Sequence, residues 1–124
     1  MYKLTNLQKI STSSGYVQKF MNRNQNEFSD FGEVYFSVLK NQKERPPKLH
    51  KKMTMNLTVI LGEVEFIFFT KNNGKKKVLM SSDNPQLLTV QPNILFSFKS
   101  TTSSDAIICN FSNIVHDEEE VLRN

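Results

Sequence analysis

Two histidines set the limits on the chemistry available to this chain. His50 lies in a basic stretch, NQKERPPKLHKK, and His116 follows the last apolar run. An imidazole titrates near neutrality, so either ring could take up or return a proton. Lys48, Lys51 and Lys52 surround His50 in sequence, and like-charge repulsion from them would depress its pKa and keep it in the neutral form that a base needs. Two histidines, with no acidic residue beside His50, do not make a ligand set, so no protein-held metal is expected. Nor is a cofactor: the chain has no phosphate-cradling glycine loop, no nucleophile elbow and no cysteine pair. Cys109, set among Ile107, Ile108 and Phe111, reads as a core thiol and suits a reducing compartment.

The elements that must position these groups read as strands. Val34, Phe36 and Val38 alternate with Tyr35, Ser37 and Leu39, a period of two that ends at Lys40. NQKERPPKLHKK, with its Pro-Pro pair, is expected to be a stiff exposed connection and a candidate pocket rim. MTMNLTVILGEVEFIFF is the strongest signal, read as a β-hairpin from Met53 to Phe69 that turns about Leu61, Gly62 and Glu63. Lys71 to Lys77 is then a solvated turn. Strands are expected at Lys77 to Met80, Leu87 to Val90, Ile94 to Phe98 and Ala106 to Phe111. Asn93 suits a left-handed position between two of them. At the C-terminus Asp117 could cap a short helix that carries Glu118 to Glu120 in its first turn. Short, evenly spaced strands with almost no helix signal argue for an all-β, two-layered jelly roll.

The chain is 124 residues long, the length of one domain spanning 1–124, with a polar segment 1–14 that either forms a swapped strand or frays. Sixteen basic and 12 acidic side chains leave a net charge of +4, a mild excess that permits an anionic ligand without pointing to nucleic acid. No apolar run resembles a signal sequence or a membrane span, so the expectation is cytoplasmic, with neither nucleic acid nor membrane as a partner. The glycosylation-like triplets at Asn56 and Asn110 carry little weight without secretion.

The order GYVQKF, EVYFSV, the basic stretch ending in His50, NLTVILGEVEFIFF, LLTVQPNILFSF and a last strand resembles the dTDP-4-dehydrorhamnose 3,5-epimerase family of cupins, from about Gly15 to Val121. HKKMTMNL followed by GEVEF, and the ending NIVHDEEEV, are similar to its short divergent members. The resemblance implies a cupin jelly roll that removes a proton beside the ketone of a nucleotide-linked 4-keto-6-deoxy sugar and returns it, in surface polysaccharide biosynthesis. It places the base at His50, and the enolate-supporting group at Asn56 in place of a lysine. The family's acidic tyrosine falls on Cys109, its second histidine on Phe96, and the aspartate that orients its base on a C-terminal segment this chain does not have. Tyr35 and His116 are then the candidate acids. Arg45, Lys48 and Lys52 stand where the family binds its diphosphate, and a homodimer paired through N-terminal strands is implied. The alternatives are a catalytically degenerate sugar-nucleotide-binding cupin, or a structural or assembly partner.

Overall fold

The computed structural model describes residues 2–123, so that Met1 and Asn124, the ends of the expected domain, lie outside it. Within that range the strands are β1 (Tyr2–Asn6), β2 (Lys9–Thr12), β3 (Gly15–Gln18), β4 (Glu33–Leu39), β5 (Glu44–His50), β6 (Met55–Leu61), β7 (Glu63–Phe69), β8 (Lys75–Ser81), β9 (Gln86–Val90), β10 (Phe96–Ser100), β11 (Ala106–Ser112) and β12 (Val121–Arg123). They form two five-stranded antiparallel sheets, ordered β1-β9-β6-β11-β4 and β12-β5-β10-β7-β8, with β2 and β3 paired as a separate ribbon. This is the all-β cupin jelly roll expected, and its helical content shrinks to single 3-10 turns at Lys71–Asn73 and Glu118–Glu120. No helix among the described residues is long and apolar enough to cross a membrane.

Alternation places the core. On β6 Met55, Leu57 and Val59 face inward against Phe66 and Phe68 of β7 and Phe96 and Phe98 of β10, and Ile108 of β11 joins the same cluster. Removing each such side chain from water contributes about 1.5–3 kcal/mol. The phenylalanines pack as tilted or stacked pairs, with 5.6 Å between the Phe66 and Phe98 centroids and 5.8 Å between those of Phe68 and Phe96.

The expected hairpin from Met53 to Phe69 is corrected. β6 pairs with β9 and β11, and β7 with β8 and β10, so the two runs belong to opposite sheets. Gly62, at φ +82°, is a corner that carries the chain across the sandwich. Each run is an interior strand of its own sheet with its apolar residues facing the shared core, and that alternation reads the same whether two successive strands pair as a hairpin or face each other across a sandwich.

The expected exposed connection 41–52 is corrected too, since most of it is strand β5. On β10 only Ser97 separates Phe96 from Phe98, whereas on β5 both Pro46 and Pro47 separate their partners Lys48 and Arg45. The prolines therefore occupy a bulge, where a missing N–H does not break the ladder. Residues 2–6 are strand β1, paired with β9. Asn93 is left-handed, at φ +68°, as expected, but β10 starts two residues later than the sequence suggested. Asp117 caps the last 3-10 turn by accepting from the Glu119 N–H at 3.0 Å, and the chain then continues into β12, which the sequence did not signal.

Candidate active site

His50 ends β5 and is 2% exposed. Its carbonyl accepts from the Asn93 N–H at 2.7 Å, and β12 pairs alongside with Val121 opposite it. That pairing delivers Glu120. One carboxylate oxygen of Glu120 meets His50 Nδ1, and the other accepts from the backbone N–H groups of Lys52 and Met53, each at 2.9 Å. Burial would raise the pKa of this carboxyl, but the hydrogen bonds from His50, Lys52 and Met53 outweigh it and hold the group below its ordinary value. An ionised carboxylate only accepts, so Nδ1 carries the proton and Nε2 bears the lone pair. Nε2 is buried and has no partner among the described residues. Burial pushes the His50 pKa down, Glu120 offsets this in part, and nearby Lys48 adds to the depression. The ring is therefore neutral at pH 7, the protonation state of a base.

Lys48 shares the inward face of β5 with His50, and its side chain lines a narrow cleft between the sheets together with Tyr35 and Ser37 of β4, Phe96 and Phe98 of β10, and Asn110 of β11. Burial, then the Arg123 and Arg45 charges, lowers the Lys48 pKa. Burial likewise raises that of the Tyr35 phenol, which stays protonated at neutral pH. Tyr35 stands directly opposite Asn110 in the β4–β11 ladder, and the phenol lies near the amide, but neither amide atom makes a hydrogen bond of proper geometry. Arg45, exposed on β5, bridges the two sheets. Its Nη2 donates to the Val38 carbonyl at 3.3 Å, and its guanidinium lies 6.0 Å from the Phe98 ring centre.

The other candidates lie elsewhere. Asn56 projects from the outer face of β6: its Nδ2 donates to the Glu27 carbonyl at 3.2 Å and its Oδ1 accepts from Thr89 at 2.6 Å. The first bond holds Glu27 against the sheet and the second ties Asn56 to β9 beside it, which takes the amide out of the cleft. Lys52 follows the bend after β5, and its side chain borders a surface groove with Asp117 and Glu119; only its backbone N–H serves the site, through Glu120. His116 is 40% exposed and donates to Glu118 Oε1 at 2.9 Å, outside the cleft. Cys109 is buried on the outer face, and burial raises its pKa, so it is an inert thiol.

Sequence reasoning missed two groups. The orienting carboxylate, expected to be absent, is Glu120. Asn110 was legible as a polar residue on the inward register of an otherwise apolar strand, between Ile108 and Ser112, but had been read only as part of a glycosylation-like triplet.

A family model described as WxcM-like, C-terminal (FdtA) matches residues 1–124. A dTDP sugar isomerase from Desulfovibrio desulfuricans G20 is 25% identical, superposes with a TM-score of 0.92, and the match covers 99% of this chain and 83% of that one. QdtA, a sugar 3,4-ketoisomerase from Thermoanaerobacterium thermosaccharolyticum solved with TDP, is 18% identical with a TM-score of 0.84, over 99% of this chain and 88% of that one. The dTDP-6-deoxy-D-glucose-3,5-epimerase RmlC from Legionella pneumophila, solved with dTDP-4-keto-L-rhamnose, is 14% identical with a TM-score of 0.83, over 98% and 71%. The last two share the fold with this chain. No curated protein sequence matches it.

Proposed function

Because the chain belongs to the family described as WxcM-like, C-terminal, we propose that it is a sugar-nucleotide isomerase or epimerase that moves a proton beside the ketone of a dTDP-linked 4-keto-6-deoxy sugar. The observation that carries this reading is the buried His50–Glu120 pair, which leaves His50 Nε2 with a free lone pair. His50 takes the proton from the carbon next to the carbonyl, and the bond's electrons pass into an enolate. Tyr35, protonated on the opposite sheet, is the acid that returns a proton. Lys48 and Arg45 supply positive charge, and the forked guanidinium suits diphosphate oxygens. Apolar walls at Phe96 and Phe98 lower the local dielectric and strengthen each of these interactions.

On this reading the protein works in the cytoplasm, in surface polysaccharide biosynthesis, and pairs with a second copy through its N-terminal ribbon. The β2–β3 ribbon, which joins the backbone ladder of neither sheet and exposes Ile10, Tyr16 and Val17, supports that pairing. Light scattering that finds only monomer at all concentrations overturns it.

The test of function is incubation with TDP-4-keto-6-deoxyglucose in deuterium oxide, followed by NMR. Deuterium enters beside the ketone with the wild-type protein and not with His50→Asn. Label that persists in His50→Asn removes His50 as the base, and nucleotide binding without any exchange by the wild type favours the catalytically degenerate reading.

A further inference from the structure

A second concavity lies apart from the cleft, between the turn 70–74 and the connection 91–95. It holds about 590 Å³; Leu49, Phe69, Ile94 and Leu95 form much of its apolar wall, and Lys71 and Lys76 stand beside them. The groove is built from fixed backbone. The Phe69 N–H donates to the Leu95 carbonyl at 3.0 Å, which joins two of its sides, and the Thr70 N–H donates to the Gly74 carbonyl at 2.9 Å, which closes the turn. Asn72 and Asn73 occupy left-handed positions in that turn, at φ +62° and +61°, where asparagine is tolerated. No acidic side chain lines the groove, and neither Lys71 nor Lys76 meets a carboxylate among the described residues. Lys75 adds a third charge nearby, its Nζ 5.6 Å from the centre of the Phe69 ring. Lysines that only keep a turn in water or guard a sheet edge need no apolar wall beside them; these have one.

We infer that this groove is a second ligand site, for a small amphipathic anion: an aliphatic carboxylate whose tail lies on Leu49, Phe69, Ile94 and Leu95 and whose head meets Lys71 and Lys76. Size sets the class of occupant. The volume falls within the roughly 300–1,000 Å³ of small-molecule pockets, and the nine lining residues are far fewer than the roughly 20–30 a side that a protein partner engages. Charge sets the head group, because two ammonium groups without a counter-charge attract an anion and repel a cation. An ammonium is a point charge, so it holds a single carboxylate without the paired oxygens a guanidinium prefers. The apolar wall sets the rest of the molecule: water released from it favours a tail, which an inorganic anion lacks. No residue lines both this groove and the cleft between the sheets, so the site is separate from the one that holds Lys48 and Tyr35, and the inference does not depend on the function proposed above.

Decanoate, butanoate and decyltrimethylammonium are titrated into the full chain below their micelle-forming concentrations, with calorimetry for affinity and backbone amide NMR for location. Decanoate should bind saturably and shift the amides of Phe69, Thr70 and Leu95. Its affinity should exceed that of butanoate, by about threefold for each CH₂ until the groove is full, and decyltrimethylammonium should not bind there. The double variant Lys71→Gln/Lys76→Gln changes only exposed side chains, so its melting temperature should match the wild type. It should weaken decanoate about fivefold, the scale of two solvent-exposed ion pairs, and leave the affinity for TDP unchanged. No saturable decanoate binding, equal binding of the ammonium amphiphile, an affinity indifferent to tail length, or full binding by the double variant overturns the inference. So do shifts confined to Tyr35 and Asn110, or an absence of decanoate binding to TDP-saturated protein, either of which puts the ligand in the cleft already described. Capture by phosphatidylglycerol vesicles without binding of monomeric decanoate makes the groove a membrane contact and overturns it as well. None of these measurements reads turnover, so a protein inactive on every sugar leaves their outcome intact.

Discussion

Glu120 reaches His50 across 70 residues of sequence, and one carboxylate does two things there: one oxygen faces the imidazole Nδ1 while the other is fastened by the N–H groups of Lys52 and Met53. The backbone donors cannot reorient, so they fix which oxygen faces the ring. The ring is thereby held in one tautomer, with its lone pair on Nε2.

This arrangement makes Glu120→Gln a test of tautomer rather than of packing. Its carbonyl must take the two backbone donors, which leaves the NH₂ group facing His50 Nδ1. Nδ1 is then forced to accept, the proton moves to Nε2, and the base is lost. Exchange at the sugar should fall by about 10³–10⁴-fold, the scale seen when the carboxylate of a catalytic triad becomes an amide. Nitrogen NMR of the His50 ring should report the tautomer switch, with TDP affinity retained.

The pH dependence follows from the same pair. His50 has a folded pKa below its ordinary 6.5, so the unfolded chain takes up the proton first; the contribution is fully present above about pH 6.5 and is lost as pH falls towards the folded value. Glu120, also lowered, adds a contribution that is lost further down, as pH falls from about 4.5 through its own folded pKa. Both act in one direction. Denaturant titrations should show stability falling on acidification below about pH 6.5, with a limiting slope of about 1.4 kcal/mol per pH unit for each titrating group. His50→Asn should flatten the upper part of that fall. The acid limb of kcat/KM should likewise lie below pH 6.5, because the free base persists there.

How much of this was legible in the sequence depends on what lies close in the chain. The alternation in EVYFSVL marks a strand without saying which set faces inward: Tyr35, Ser37 and Leu39 do, and the more apolar Val34, Phe36 and Val38 lie on the exposed face. Glu120 was invisible because its partner is brought in only by the pairing of β12 with β5. Pro46 and Pro47 suggested a loop because prolines oppose strands, and a two-for-one bulge removes that objection. Asn56 owes its expected role to the resemblance alone, and β6 offers no contrast in burial to correct it: Asn56 and Thr58 on the outer face are as covered as Leu57 and Val59 on the inner one.

Tyr35→Phe separates the two proton transfers. Burial raises the pKa of the phenol and keeps it protonated, so it holds a proton to return at neutral pH and cannot serve as the base. Without it His50 can still remove a proton and hand it back. Exchange into the starting sugar should therefore persist while net conversion to product falls by about 10²–10⁴-fold. Equal loss of both would assign Tyr35 to binding instead.

Gly62 tests whether the corner between the sheets, rather than a hairpin turn, is what the sequence encodes. Its φ of +82° is open to glycine and costly for other residues. A Cβ there would also sit 3.1 Å from Ala106 Cα and Cβ and from the Asp105 carbonyl, which belong to the opposing strand start and cannot easily retreat. Gly62 O further accepts from the Ser82 N–H at 3.0 Å, which ties the corner to the end of β8. Gly62→Ala should therefore cost about 1–2 kcal/mol for the backbone alone, and more if Ala106 does not yield. Because the corner lies at the Leu61 end of β6, away from His50, TDP affinity in the folded variant should be unchanged while the denaturant midpoint drops. A variant as stable as the wild type would mean that the crossing is set by the two apolar runs and not by the glycine between them.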